Sequence, residues 1–211
     1  MYVIKIFSLI LYRSLQNKMR GRPNIHDNAA LIEKAQDIFW KKGYTATSLN
    51  DLLTITGAGS GSFYNTFKGG KKQVFKEAIN QRRKAFTDFK TELDNSETPI
   101  KLIKNFFRAV ADETEASHLR GCIIANTVVE MTYIDEDLEK EAVQILKEVE
   151  EMYTKAIRKA QEKGELKNTT EAAILGKYLI TFWCGLNTLR RMYPDQKILS
   201  QQIEMQLAVL S

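Results

Sequence analysis

The chain has 211 residues, two cysteines, two histidines and a formal net charge of +5. Its length supports one or two domains with a substantial apolar core, and its composition excludes a fibrous or wholly disordered chain. Two cysteines cannot form a disulfide framework, which fits a reducing cytoplasm. Neither the cysteines nor the histidines show metal-ligand spacing. We therefore predict a cytoplasmic protein without a metal or other cofactor.

The charge is distributed unevenly along the chain. Residues 1–90 contain 16 Lys/Arg and 6 Asp/Glu, whereas residues 91–211 contain 15 and 20. A basic front half joined to an acidic back half indicates a polyanion-binding module attached to a second unit. Chance scatter of surface charge gives the same asymmetry, so the motifs must decide.

The first 18 residues form an unusual leader. The stretch from Tyr2 to Leu15 is apolar, but Lys5 and Arg13 interrupt it. It is too short to span a membrane and lacks a small-residue cleavage site. We expect residues 1–18 to be an upstream extension, disordered or absent from the native product, and we expect no membrane association.

The remaining chain predicts helices throughout, since no stretch shows sustained alternation of period two. The front half contains four predicted helices, which cover about 27–42, 48–56, 60–67 and 71–93. Gly43 follows the first helix, where a left-handed residue is favoured. Thr47 or Ser48 caps the second, and Ser48 with Asp51 makes a capping box. Gly57 and Gly59 enclose the turn before the third helix.

The polar segment 94–98 predicts a domain boundary. We assign residues 19–94 to one domain and residues 95–211 to another. Five further helices are expected at about 98–117, 122–133, 135–163, 170–192 and 196–210. The predicted fold is thus all-α, with about nine helices.

The second and third helices are short and joined by a tight glycine-containing turn, which is the pattern of a helix-turn-helix. Phe63 and Phe67 lie four residues apart and can anchor the third helix on its inner side. The opposite side then presents hydroxyl and amide groups suited to phosphates and base edges. The residues expected to contact DNA are Arg20, Arg22, Thr47, Ser48, Ser60, Gly61, Ser62, Tyr64, Asn65, Thr66, Lys68 and Lys71.

Two helices around a glycine also occur in proteins that do not bind DNA. A helical interaction module without DNA binding therefore stays open as an alternative. An enzyme is not predicted, because the sequence shows no nucleophile–base pair at workable spacing, no phosphate loop and no metal cluster. No catalytic residue is assigned.

The order and spacing of the residues between about 20 and 85 resemble the TetR family of transcriptional regulators. The matching residues are Gly43-Tyr44, Thr47-Ser48, Gly57, Gly61-Ser62-Phe63-Tyr64, Phe67, Lys71 and Val74-Phe75. The resemblance implies nine or ten helices in two domains, a homodimer and double-stranded DNA with a pseudo-palindromic operator as partner. It further implies a repressor released by a small-molecule effector.

Two positions depart from the family pattern. Relatives usually carry Lys or Arg where this chain has Ser60, and a residue other than glycine where it has Gly59. The third helix is consequently uncharged. We expect the affinity for phosphates to come from Lys68, Lys71 and the basic arm of Arg20 and Arg22.

The resemblance also implies an effector pocket among helices five to eight and dimerisation through the last two long helices. Candidate effector residues are Phe106, Cys122, Asn126, Glu130, Tyr178 and Trp183. Ordinary core packing is the alternative for each of them. Cys122 lies beside Arg120 near a helix N-terminus, in a segment similar to one in electrophile-sensing members of the family, so a thiol switch is a second alternative.

Overall fold

The computed structural model describes residues 28–193 and 195–211, and within these ranges the chain forms ten α-helices and no strand. In chain order they are α1 Asn28–Ala46, α2 Leu49–Thr56, α3 Ser60–Thr66, α4 Gly70–Asn95, α5 Pro99–Ala111, α6 Glu115–Arg120, α7 Ile123–Met131, α8 Glu136–Glu162, α9 Ala172–Leu189 and α10 Gln196–Leu207, followed by a 3₁₀ turn Ala208–Leu210. The all-α prediction is confirmed. The predicted extension 1–18 and the arm of Arg20 and Arg22 lie outside the described residues.

Local sequence sets the helix-turn-helix. Ser48 caps α2: its side chain accepts from the Asp51 amide, and the Asp51 carboxylate accepts from the Ser48 amide. The hydrogen bond from Lys42 and those from Ser48 lower the pKa of Asp51 to about 2. Gly57 ends α2 with φ 71°, a left-handed value that favours glycine. Ser48, and not Thr47, is therefore the cap.

The long helix α4 belongs to the cores of both halves. Near its start, Phe75 packs edge-on against Phe39 of α1, with ring centroids 4.8 Å apart. Near its end, Phe89 stacks on Phe106 of α5, also at 4.8 Å. A single apolar core thus runs through both halves of the described chain.

The second half differs from its prediction in where helices begin and end. The predicted fifth helix, about 98–117, stops at Ala111, and Thr114 caps a separate short helix by accepting from the Ser117 amide. The predicted eighth helix ends at Leu189 instead of Met192. The break was marked in the sequence, since residues 112–115 are Asp, Glu, Thr and Glu and interrupt the apolar stripe that ends at Ala111.

Helices α8 and α9 pack at unusually close range. A Cβ placed on Gly176 of α9 would lie 2.2 Å from the Thr154 hydroxyl oxygen and 3.2 Å from the Glu150 carbonyl oxygen. A side chain at position 176 would therefore displace the Thr154 hydroxyl and press on the backbone of α8. No helix of the described residues is long and apolar enough to cross a membrane.

Candidate nucleic-acid interface

Helix α3 has one buried and one exposed side. Phe63 and Phe67 are 1% and 2% exposed, and their ring centroids are 5.3 Å apart. Tyr64 is 48% exposed and meets the Phe63 ring edge-on at 5.6 Å. The two phenylalanines anchor the helix, and the Tyr64 ring is held against that anchor.

The other polar residues of α3 lie on or beside the exposed side. Ser60, Gly61 and Asn65 are exposed, and Ser62 and Thr66 are half-buried. Lys68, just after the helix, is exposed. The structure thus brings together seven of the predicted DNA contacts, all of them on or directly after α3.

Thr47 and Ser48 lie at the start of α2 but differ in what they can do. Ser48 is exposed, and its hydroxyl is engaged with Asp51. Thr47 is fully buried, and its hydroxyl donates to the Gly43 carbonyl at 2.6 Å. A DNA contact through the Thr47 side chain therefore finds no support in the geometry.

Lys71 is engaged within the protein. Its ammonium donates to the Tyr44 carbonyl at 3.0 Å and to the Thr47 carbonyl at 2.9 Å. It also lies 4.3 Å from the centre of the Tyr44 ring, a cation–π distance. The sequence assigned Lys71 to DNA phosphates, but in the structure its ammonium bonds to the turn at residues 43–47, where the path of α1 breaks at Gly43 before α2 begins.

Glu130 also bonds to this turn, although the sequence assigned it to the effector. Its carboxylate accepts from the Tyr44 amide at 2.9 Å and from the Thr45 amide at 2.7 Å. Both oxygens are thereby used on backbone groups of the DNA-binding half. Glu130 is the last-turn residue of α7, so the second half of the chain holds the turn directly.

The remaining effector candidates do not form one site. Phe106 and Trp183 are buried with ring centroids 5.2 Å apart, inside an aromatic cluster with Phe89 and Phe107. Tyr178, on α9 like Trp183, donates to the Gln206 carbonyl of α10 at 3.0 Å. Asn126 donates to the Arg120 carbonyl at 3.3 Å.

Cys122 is only 5% exposed and precedes α7 as its N-terminal cap residue. Arg120 does not face it as an ion-pair partner, because the Arg120 guanidinium pairs with Asp37 at 3.0 Å. Burial raises the pKa of the second thiol, Cys184, to about 11. The geometry favours packing for Cys122, since a sensor thiol needs access to its oxidant.

The structure reveals a contact region, the seam, that sequence reasoning missed. We define the seam as α1 against the segment 120–130. The Trp40 indole donates to the Gly121 carbonyl at 3.1 Å, and Arg82 lies over the Trp40 ring at 4.8 Å. A large aromatic next to Phe39, on a different side of α1 from the core stripe, was the available signal.

A cleft of about 180 Å³ opens along the seam. Two effector candidates, Asn126 and Glu130, line it together with Trp40, Gly43, Thr127 and Arg191. Cys122, Phe106, Tyr178 and Trp183 do not line it. The cleft is therefore distinct from the aromatic cluster of Phe106 and Trp183.

A cluster of buried polar side chains lies between α6 and the C-terminal end of α9. Arg190 is 4% exposed, pairs with Glu113 at 2.8 Å and donates to the Ser117 carbonyl at 3.1 Å. His118 is buried, and its Nδ1 has no hydrogen-bond partner among the described residues. Burial, and then the charge of Arg190, lower the pKa of His118. The folded chain therefore protonates His118 at a lower pH than it would an exposed histidine. Within the described residues, no group of three or more His, Cys, Asp or Glu could hold a metal ion.

Comparison with known proteins places this geometry in a family. Residues 99–205 match the family model for a tetracyclin repressor-like C-terminal domain. The HTH-type transcriptional repressor DhaR of Mycobacterium sp. (strain GP1) is 26% identical over 174 residues, 81% of this chain and 85% of DhaR.

Solved structures share the fold. Reduced NemR of E. coli superposes with a TM-score of 0.75 at 17% identity, covering 87% of this chain and 96% of NemR. A cysteine mutant of the TetR-family regulator CifR, complexed with 26-bp operator DNA, superposes with a TM-score of 0.74 at 21% identity, covering 90% of this chain and 100% of CifR. Because the family model spans just over half of the 211 residues, the chain belongs to the TetR family of helix-turn-helix transcriptional regulators.

Proposed function

We propose that this regulator is a cytoplasmic homodimeric repressor that reads a pseudo-palindromic operator with α3 and leaves it when a small molecule binds the second half. The observation that carries the proposal is the exposed side of α3, where Tyr64 and Asn65 reach solvent while Phe63 and Phe67 hold the helix from below. A recognition helix needs this combination to enter the major groove without losing its place on the protein.

The proposed roles on DNA rest on the exposed side chains of α3 and on Lys68, and for Arg20 and Arg22, which lie outside the described residues, on the sequence alone. Tyr64, Asn65, Ser60 and Thr66 supply contacts to bases and nearby phosphates. Lys68 and the arm of Arg20 and Arg22 supply most of the phosphate charge. The 26-bp operator complex of CifR supports this mode of binding, because CifR shares the fold. DhaR, a relative over most of both chains, bears the name of a transcriptional repressor.

Dimerisation is proposed through α9 and α10, where apolar side chains face solvent. Ile174 is 50% exposed, Leu189 51%, Ile198 44% and Met205 78%. Apolar surface of this extent on two consecutive helices favours a self-complementary interface. The two helix-turn-helix units of such a dimer contact half-sites that lie about one turn of the DNA helix apart, or slightly more.

For the effector we propose the second half, residues 95–211, as the binding domain and residues 19–94 as the DNA-binding domain. The aromatic cluster of Phe106, Phe107 and Trp183 offers apolar walls. The Trp183 indole N–H is buried without a hydrogen-bond partner among the described residues, so a polar group of an effector can find a donor there.

The test is a binding measurement on the full chain with DNA from upstream of its own gene, or with duplexes selected from a random pool. Wild type should bind a specific duplex more tightly than random duplex, and N65A should reduce that difference by about 1–3 kcal/mol. T91A is the matched control: it is neutral and exposed, and lies about 30 Å along α4 from the start of the helix. Equal affinity of wild type for all duplexes at low salt would overturn the proposal in favour of an interaction module.

A further inference from the structure

The turn between α1 and α2 is held by the second half of the chain. Gly43 has φ 81° and ψ 173°, so the chain leaves the helical path there and runs through Tyr44 and Thr45 toward the cap of α2. The two amides after Gly43 both donate to the Glu130 carboxylate, at 2.9 and 2.7 Å. Hydrogen bonds to an ionised acceptor are about twice as strong as neutral ones.

This contact leaves no spare room. A Cβ placed on Gly43 would lie 2.9 Å from one carboxylate oxygen of Glu130 and 3.0 Å from the other. Lys71 holds the same turn from α4, through the Tyr44 and Thr47 carbonyls. The amides of Tyr44 and Thr45 thus bond to the second half of the chain, and the carbonyls of Tyr44 and Thr47 to the DNA-binding half.

The segment that carries Glu130 is also tied to α9. The Arg191 guanidinium donates to the Arg120 carbonyl at 3.0 Å, and a Cβ on Gly121 would lie 2.7 Å from the Asn187 carbonyl. On its other side the segment contacts α1 through Trp40 and Asp37. The end of α9 thus contacts the start of the segment 120–130, and the end of that segment, at Glu130, bonds to the turn before α2.

We propose that Glu130 is a positioning residue for DNA reading: its carboxylate fixes the orientation of α2 and α3 on the second half through the amides of Tyr44 and Thr45. The inference rests on the proposed function, because it concerns how the DNA-reading helix is placed. Glu130 thus acts on the placement of α2 and α3 and not on the binding of an effector.

The variants E130Q and E130A test this inference. The amide of Gln offers one acceptor where the carboxylate offered two, and Ala offers none. Affinity for the selected duplex should fall about 5- to 150-fold, the usual range of coupling between sites. Affinity for random duplex and the salt dependence should stay at wild-type values, because no phosphate contact is removed. E97Q is the matched control, since it removes the same charge from an exposed pair with Lys163.

Hydrogen exchange of the backbone amides measures the contact between Glu130 and the turn in the absence of DNA. The amides of Tyr44 and Thr45 should exchange faster in E130Q and E130A than in wild type, and at the wild-type rate in E97Q. A purely structural role would instead weaken specific and random binding alike and lower the melting temperature of the chain. That pattern would overturn the positioning role.

A double-mutant cycle with Gly43 provides the sharpest test. G43A alone suffers both backbone strain and the clash with Glu130, whereas in E130A only the strain remains. The loss of specific binding caused by G43A should therefore be smaller in the E130A background. Additive losses, or wild-type affinity in E130A, would overturn the inference. Absence of specific binding in wild type would overturn the proposed function itself, while the exchange rates would still report whether the contact exists.

Discussion

The exposed side of α3 and the turn at residues 43–47 lie at opposite ends of the same helix-turn-helix and are built in contrary ways. On α3, Tyr64 and Asn65 are exposed, and no charged residue lies within the helix. In the turn, the hydroxyl of Thr47 and the amides of Tyr44 and Thr45 are all engaged. The charges that meet there, Lys71 and Glu130, are used on backbone groups.

The two regions therefore suit different tasks: the exposed side of α3 is suited to contacting DNA, and the turn is suited to fixing the orientation of α2 and α3. A surface that reads DNA must keep donors and acceptors free for a partner, whereas a turn that sets its orientation must leave none free. Lys71 and Glu130 are charged residues that the sequence assigned to ligands. In the structure both side chains bond to backbone groups of the turn at residues 43–47.

The largest effect is expected from breaking the anchor of α3. F63A removes a ring that is 1% exposed and should lower the free energy of unfolding by about 3–5 kcal/mol, measured by urea denaturation. Y64A, on the next residue, removes a half-exposed ring and should change stability by less than about 1 kcal/mol while reducing specific DNA binding. Equal destabilisation by both variants would show that α3 has no distinct reading side.

Replacing Lys71 and replacing Lys68 should have different effects on stability and on DNA binding, although both lysines lie near α3. K71A removes two hydrogen bonds to carbonyls and should cost about 1–3 kcal/mol of stability, with little change in the salt dependence of DNA binding. K68A should leave stability unchanged and reduce the salt slope by about one. Calorimetry and binding titrations at several salt concentrations make the comparison. A full unit of salt slope lost in K71A would return that residue to the DNA interface.

Asn65 tests whether the free polar groups of α3 read bases. N65A should reduce discrimination between the selected duplex and single-base variants by about 1–3 kcal/mol at one operator position. Melting temperature should not change, because Asn65 is exposed. A uniform loss over all duplexes would mean that Asn65 contacts phosphate only.

The second half should respond to pH through His118. Burial and Arg190 lower the pKa of His118 in the folded state, so the unfolded chain takes up this proton at a higher pH, about 6.5, than the folded chain does. Stability should therefore be complete above that pH and fall below it, by at most about 1.4 kcal/mol per pH unit. Denaturation between pH 7 and 5 should show this slope in wild type, and less of it in H118Q. Identical slopes would refute the assignment.

The predicted cap, turn and anchor of the helix-turn-helix were readable because each rests on neighbours in sequence. Ser48 with Asp51, Gly57 with its left-handed φ, and Phe63 with Phe67 need no distant partner. The seam was not readable, since Trp40 and Gly121 are 81 positions apart and Tyr44 and Glu130 are 86 apart. Periodicity marks a side of a helix as apolar but does not say which backbone atoms will face it.

The sequence by itself determined that the described chain is all-helical, that a short uncharged helix follows a glycine turn, and that the order of its residues resembles the TetR family. Those properties depend on residue order and local chemistry, which a single chain displays in full. Only the tertiary structure decided what the charged residues do. A carboxylate or ammonium binds whatever donor or acceptor the fold brings within about 3 Å. For Glu130 and Lys71, the groups within reach are backbone amides and carbonyls of the turn that precedes α2.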